Sequence, residues 1–206
     1  MTWRDSLNSA IRAKWTMSLV LALCFVPAMQ LAWQSLFPAA GINQSDIALR
    51  RTGDWALNFL LLTLAVTPLR QSLALPDLIR FRRMLGLCSF FYACLHLLMW
   101  KTPHHAPDVA RFNVWSLRIA FTGFLLMIPL AATSTAGSIQ RLGGRRWRML
   151  HTLAYVSAVA GVVHYCALAG SAVGLSFAYI AMVALLLTFR LSQARLDWSK
   201  SRGPSR

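Results

Sequence analysis

Six stretches of this chain are long and apolar enough to fill the hydrocarbon core of a bilayer. They lie at approximately residues 17–37, 54–71, 84–101, 115–133, 149–169 and 173–190. At 1.5 Å of rise per residue, about 20 mostly apolar residues make one crossing. The expected fold is therefore an all-α integral membrane protein, a six-transmembrane-helix bundle with short connections. The chain reads as one membrane domain over 17–190, flanked by an N-terminal tail (1–16) and a basic C-terminal tail (191–206). Only 13% of its residues are charged and 57% are hydrophobic; a soluble domain carries about 25% charged residues. Trp15, Trp33, Trp55, Trp100, Trp115 and Trp147 all fall near expected helix ends, where indole rings settle at headgroup level.

A net charge of +15 suggests nucleic acid until its distribution is read. Sixteen of the 21 Lys and Arg residues fall on one side of the expected topology, in the N-terminal tail, the second and fourth loops and the C-terminal end. The opposite side holds Arg50, Arg51, Lys101, Arg111 and Arg118. Loop cations gather on the cytoplasmic side, so both termini are expected there, facing anionic lipid headgroups and no nucleic acid. The first apolar run exceeds a typical signal-peptide core and no A-x-A site closes it, so it is expected to remain as a helix. Pro27 and Pro129 are expected to kink the first and fourth spans.

Three histidines, His96, His151 and His164, lie inside these apolar segments. An ionisable side chain at membrane depth marks a functional site, and neutral imidazole is a common ligand of haem iron. In this topology the third and fifth helices run outward, which puts His96 and His164 at one depth near the outer surface. Two axial ligands gripping one iron need that arrangement. His151 lies 13 residues before His164, about 20 Å along a helix, near the inner surface. The positions that should supply its partner on the third helix are Arg82 and Arg83, which cannot ligate iron. The expectation is one haem, or two stacked with the inner one held differently. Small residues beside the histidines (Ala93, Ala154, Ala160, Gly161) suit either a flat macrocycle or close helix packing.

Zinc fits less well. The chain has no glutamate, and its six aspartates lie outside the helix centres. Cys24, Cys88, Cys94 and Cys166 form no C-x-x-C pair and read as small buried hydrophobes. Arg118 is a candidate partner for a haem propionate, against simple snorkelling to the interface. Arg82, Arg83, Arg145, Arg146 and Arg148 line the inner side, where propionates, a flavin phosphate or lipid headgroups would find them.

Arg82-Arg83-Met84-Leu85-Gly86-Leu87, followed by Tyr92-Ala93-Cys94-Leu95-His96, resembles the ferric-reductase-like transmembrane family. More narrowly it resembles the haem-binding membrane subunits of periplasmic methionine-sulfoxide reductase systems. Thr52-Gly53 with Thr67-Pro68-Leu69, Thr133-Ser134-Thr135, Leu142-Gly143 through Trp147, Leu150-His151 and His164-Tyr165 agree, with the shared core at about 54–169. The resemblance implies a b-type cytochrome of the bacterial inner membrane. Such a protein passes electrons from the quinone pool to a periplasmic molybdopterin-containing reductase that repairs oxidised methionine. It implies His96 and His164 as outer haem ligands and His151 as an inner-side histidine, and it associates the family with FMN without identifying the flavin site. The absence of an inner histidine on the third helix departs from the wider pattern.

No G-x-G-x-x-G or P-loop stands on a strand–helix junction. Electrons are therefore expected from a membrane-soluble carrier, a quinol being the economical choice. The rival readings are a direct transmembrane reductase of ferric iron or other metals, and a small haem-free transporter. A docking partner is expected at Pro103–Val114 and the ends of the third and fifth helices; His104 and His105 either join that contact or are simply solvated.

Overall fold

The computed structural model describes residues 3–37, 44–101, 114–168 and 173–201. Every regular element within them is helical: α1 (Trp3–Arg12), α2 (Lys14–Leu36), α3 (Gln44–Ser72), α4 (Ile79–Trp100), α5 (Val114–Ala132), α6 (Ala136–Leu142), α7 (Gly144–Leu150), α8 (Leu153–Leu168) and α9 (Val173–Ser201). A 3₁₀ turn, Pro76–Leu78, leads into α4. The loop expected to dock a partner, with His104 and His105, lies outside the described residues.

Five helical stretches among the described residues are long and apolar enough to cross a membrane: Trp15–Leu36, Pro76–Trp100, Val114–Ala132, Gly144–Leu168 and Gly174–Arg195. The sixth expected span falls in α3. At 29 residues, α3 rises about 44 Å, but Asp54, Asn58 and Arg70 interrupt its apolar run and Arg50 and Arg51 precede it. Its position accounts for that composition, because α2, α4, α8 and α9 all pack against it. Leu57, Phe59, Leu60, Leu61, Leu64 and Val66 are buried. A helix wrapped by protein presents less surface to lipid, so it tolerates polar residues that an outer helix cannot. The peripheral helices are the reverse. Leu23 and Met29 on α2 and Phe177 and Leu185 on α9 are 58–69% exposed, as expected of side chains that meet acyl chains.

Two apolar clusters hold the bundle. Leu57, Leu60, Leu61 and Leu64 of α3 meet Leu130 of α5, Ala154, Ala158 and Val162 of α8, and Val183 and Leu186 of α9. Cys24, Phe59, Cys88 and Tyr92 join α2, α3 and α4. Cys24 and Cys88 thus serve as small core residues, and all four cysteines are free. Tyr92 is fully buried. Its hydroxyl donates to the Cys24 carbonyl at 2.8 Å and accepts from the Ala28 N–H at 3.0 Å. Those two backbone groups flank Pro27, which lacks an N–H, so the neighbouring helix supplies a polar group where α2's ladder is interrupted.

Three boundaries differ from expectation. The N-terminal tail contains α1, tied to the turn before α4 by an Arg12–Asp77 ion pair (2.8 Å) and an Arg80 bond to the Ile11 carbonyl (3.2 Å). Helix α9 runs on to Ser201, past the expected end at 190. The fifth span is broken: α7 ends at Leu150, a two-residue turn holds His151 and Thr152, and α8 begins at Leu153. Thr152 folds its hydroxyl back onto the Met149 carbonyl at 2.6 Å, supporting that turn. The rise counted from His151 to His164 along one helix is therefore interrupted at its first residues, because α8 begins only at Leu153. Ahead of α7, Gly143 adopts φ +74°, a conformation that side chains disfavour. Its N–H closes α6 on the Ile139 carbonyl at 3.0 Å, as glycine does just past a helix end.

Candidate functional site: two facing imidazoles

Helices α3 and α5 each pack against both α4 and α8. The four form a ring in which α4 and α8 face one another. His96 lies in the C-terminal part of α4 and His164 in the C-terminal part of α8. Their ring centroids are 6.4 Å apart and their planes meet at 73°. Opposed imidazoles on one metal fall at roughly this spacing: two bonds of about 2.0 Å and two ring radii of about 1.1 Å bring centroids to roughly 6 Å. The separation is compatible with an edge-to-face ring contact and also with the span that an intervening iron would fill.

The hydrogen bonds of the two rings favour ligation. His96 Nδ1 lies 2.9 Å from the Leu49 carbonyl of α3, with Thr52 Oγ1 at 3.5 Å. Since a carbonyl only accepts, the proton sits on Nδ1 and the Nε2 lone pair is left for a metal. Metal-bound histidines commonly have a carbonyl behind the ring in this way. Gly53 completes the cradle, because a Cβ there would lie 3.0 Å from His96 Cε1 and Nδ1. Thr52 is buried and donates back to the carbonyls of Ala48 and Leu49 at 2.8 and 2.9 Å. On the other side, the backbone of Ser116 on α5 interacts with the His164 ring. Even so, His164 Nδ1 is buried without a partner in hydrogen-bonding geometry. A buried imidazole nitrogen without a hydrogen-bond partner is costly in a protein interior, and a bound metal would relieve that cost. The residues present fit a haem iron held from both faces.

Comparison with known proteins gives this pair its context. The family model for the ferric reductase like transmembrane component matches residues 52–162. Relatives described as the protein-methionine-sulfoxide reductase heme-binding subunit MsrQ are similar over most of the chain. The Herminiimonas arsenicoxydans protein is 43% identical over 158 residues, covering 72% of each chain. The Ralstonia nicotianae protein is 44% identical over 151 residues, covering 71% of this chain and 70% of the relative. The Polaromonas naphthalenivorans protein is 36% identical over 205 residues, covering 93% and 91%. No solved structure matches. This chain belongs to the MsrQ family of ferric-reductase-like transmembrane proteins.

As a member of that family it is a multi-pass membrane protein. Its other candidate residues are placed differently from the pair. His151 stacks on Trp147, with centroids 4.0 Å apart and planes at 28°. Its Nε2 lies 3.2 Å from Thr133 Oγ1, and Trp147 Nε1 donates to the Thr133 carbonyl at 3.0 Å. The Thr133 hydroxyl already bonds the Pro129 carbonyl at 2.6 Å, so His151 donates through Nε2 and keeps Nδ1 unshared. Among the described residues, no second histidine faces it. Arg118 is exposed on α5, two residues and half a turn from buried Ser116; α5 therefore turns its serine, not its arginine, toward His164. The small residues serve helix packing: a Cβ on Gly161 would meet Leu57 Cδ1 at 3.2 Å, Gly123 lies against Ala160, and Ala154 and Ala158 are buried in the core. Among the described residues, no three His, Cys, Asp or Glu side chains gather as a metal cluster.

The spacing argument did not assign Leu49, Thr52, Gly53 or Ser116 to the site. One signal was available. A glycine inside a helix costs about 1 kcal/mol relative to alanine and often marks a close approach, and Gly53 stands in mid-α3.

Proposed function

We propose that this chain is a haem b-binding electron-transfer subunit in the bacterial inner (cytoplasmic) membrane. In this reading α3 is the sixth transmembrane helix, both termini are cytoplasmic, and His96 and His164 lie toward the periplasm. Electrons come from quinol and pass to a periplasmic molybdopterin-containing enzyme that reduces methionine sulfoxide. The observation that carries the reading is the 6.4 Å spacing of His96 and His164 in a family whose relatives are described as haem-binding.

Haem iron supplies reversible one-electron storage. The rest is the work of this chain's side chains. His96 and His164 offer two neutral imidazoles, which together leave no open iron position and so favour electron transfer over chemistry at the metal. The Leu49 carbonyl fixes which nitrogen of His96 carries the proton. Leu57, Leu60 and Leu61 of α3 form apolar packing in the same bundle. His151 is the candidate for an inner ligand, through its unshared Nδ1, and FMN is a further cofactor suggested by the family.

The test is a reduced-minus-oxidised spectrum of the purified protein. Low-spin b-type bands are expected, and His96→Ala and His164→Ala are each expected to remove the six-coordinate species. Bands that survive either change defeat the assignment. With quinol supplied, transfer to the isolated periplasmic partner but not to ferric chelates supports the sulfoxide-repair role; the reverse favours a direct metal reductase.

A further inference from the structure

Helix α1 is amphipathic, and the half it turns toward the rest of the protein is the polar one. At about 100° per residue, Trp3, Leu7, Ala10 and Ile11 fall within a single arc of about 100°, whereas Asp5, Asn8, Ser9 and Arg12 lie on the opposite half. Arg12 pairs with Asp77 at 2.8 Å, and Asn8 is partly buried, as α1 packs against the Pro76–Leu78 turn and α2. The apolar stripe faces away: Trp3 is 58% exposed and Leu7 44%. Arg4 borders the stripe, with its guanidinium 5.3 Å from the centre of the Trp3 ring. A helix on the surface of a soluble domain shows the reverse arrangement, apolar stripe inward and polar face out.

The position of α1 says what covers that stripe. Ala13, between α1 and α2, is extended (φ −57°, ψ 137°), so α1 leaves the line of α2 instead of prolonging it into water. The bend is held by bonds: the Thr16 hydroxyl donates to the Ala10 carbonyl at 2.5 Å, and the Ala13 N–H to the Ser9 carbonyl at 3.2 Å. Arg80, in the first turn of α4, donates to the Ile11 carbonyl at 3.2 Å. The apolar crossing that follows starts at Trp15, which is 63% exposed, as an indole at headgroup level would be. Helix α1 is therefore fixed beside the bundle where the hydrocarbon layer ends. A stripe on one helix of 10 residues is small for a stable protein interface, which buries about 800 Å² on each partner. Its composition, an indole and aliphatic side chains flanked by a cation, matches the boundary between lipid headgroups and acyl chains.

We propose that α1 is an in-plane membrane anchor, with Trp3, Leu7 and Ala10 seated among the upper acyl carbons of the adjacent leaflet and Arg4 at its headgroups. Through Asp77 and Arg80 the anchor grips the turn before α4 and the first turn of α4 itself, and so holds at a set depth the start of the helix that carries His96. The test uses full-length protein in nanodiscs of phosphatidylcholine and phosphatidylglycerol. Emission from Trp3 is read as the difference between wild type and Trp3→Phe, a change that keeps the stripe apolar. Phosphatidylcholine brominated near the top of its acyl chains is expected to remove most of that emission, and aqueous acrylamide little of it. Leu7→Asp puts a charge on the exposed stripe without touching the bundle core; it should reverse the pattern, with lipid quenching lost and acrylamide quenching gained. Ser9→Asp, on the opposite half, should leave the pattern as in wild type. Emission open to acrylamide but not to brominated lipid would place the stripe in water. Emission reached by neither quencher would mean that protein covers it, a second copy included. Either result overturns the proposal, as does an equal effect of Leu7→Asp and Ser9→Asp. The difference signal carries no haem band, so the haem assignment stands or falls separately.

Discussion

The two ends of this bundle hold their ionisable groups in opposite ways. At one end, His96 and His164 face each other across 6.4 Å, with Leu49, Thr52 and Gly53 of the central helix packed behind His96. At the other end, His151 sits in a turn, stacked on Trp147 and bonded to Thr133, with Arg82 acting on it and, among the described residues, no second imidazole facing it. The first arrangement presents two facing imidazoles at fixed spacing, the pair we propose as haem ligands. The second couples one imidazole to an indole, a hydroxyl and a nearby arginine. Imidazoles at similar nominal cost in a membrane thus do different work according to what faces them.

The largest expected effect breaks that contrast directly. His96→Ala or His164→Ala removes half of a two-ligand grip, so the bis-imidazole low-spin signal should be lost almost entirely. His151→Ala should leave that signal in place, because His151 touches neither ring, and any loss should be confined to a second spectral component. Electron paramagnetic resonance of the oxidised proteins separates these outcomes. Equal loss of the bis-imidazole signal in all three variants would mean that the two ends are one site.

A smaller effect sharpens the account of how the pair is held. In Gly53→Ala the new methyl would sit 3.0 Å from two atoms of the His96 ring, so the ring or α3 must shift. Overpacking of this kind costs about 1–3 kcal/mol. The expected readout is a lower haem content and a changed midpoint potential in the fraction that loads, since the carbonyl behind His96 tunes the ligand as well as placing it. Gly161→Ala, which meets only Leu57 Cδ1 at 3.2 Å, should alter stability without moving the potential. If both variants shift the potential equally, the Gly53 cradle is ordinary helix packing.

Much of this architecture is legible in the sequence because membrane crossing imposes length and apolarity on each outer helix. The spans over Trp15–Leu36, Val114–Ala132 and Gly174–Arg195 follow from that rule alone. Matching the depths of His96 and His164 also needs only helix direction and rise. What the pattern does not carry is rotation about each axis and breaks in the count. Gly53 and Ser116 join the site because of which way α3 and α5 are turned, and Arg118 misses it for the same reason. His151 falls at a short turn between α7 and α8, where Thr152 makes a side-chain bond to Met149 that periodicity does not register. The fate of Pro27 is decided by Tyr92, 65 positions later in the chain, whose hydroxyl serves the backbone on either side of the proline. Such long-range partners have no local signature.

The smallest expected effect tests the other end. Thr133→Val keeps the shape of the side chain but removes the hydroxyl that lies 3.2 Å from His151 Nε2 and 2.6 Å from the Pro129 carbonyl. The Trp147 indole still bonds the Thr133 backbone and still stacks on His151, so the turn should survive. Losing one net hydrogen bond costs about 0.5–1.5 kcal/mol, which would lower the thermal midpoint in detergent by a few degrees at most. The bis-imidazole signal should not change, because none of these groups reaches His96 or His164. A shift in that signal from so small a change would show the ends to be coupled through α5, which packs against α4 and α8 alike, and the independence of the two ends would have to be given up.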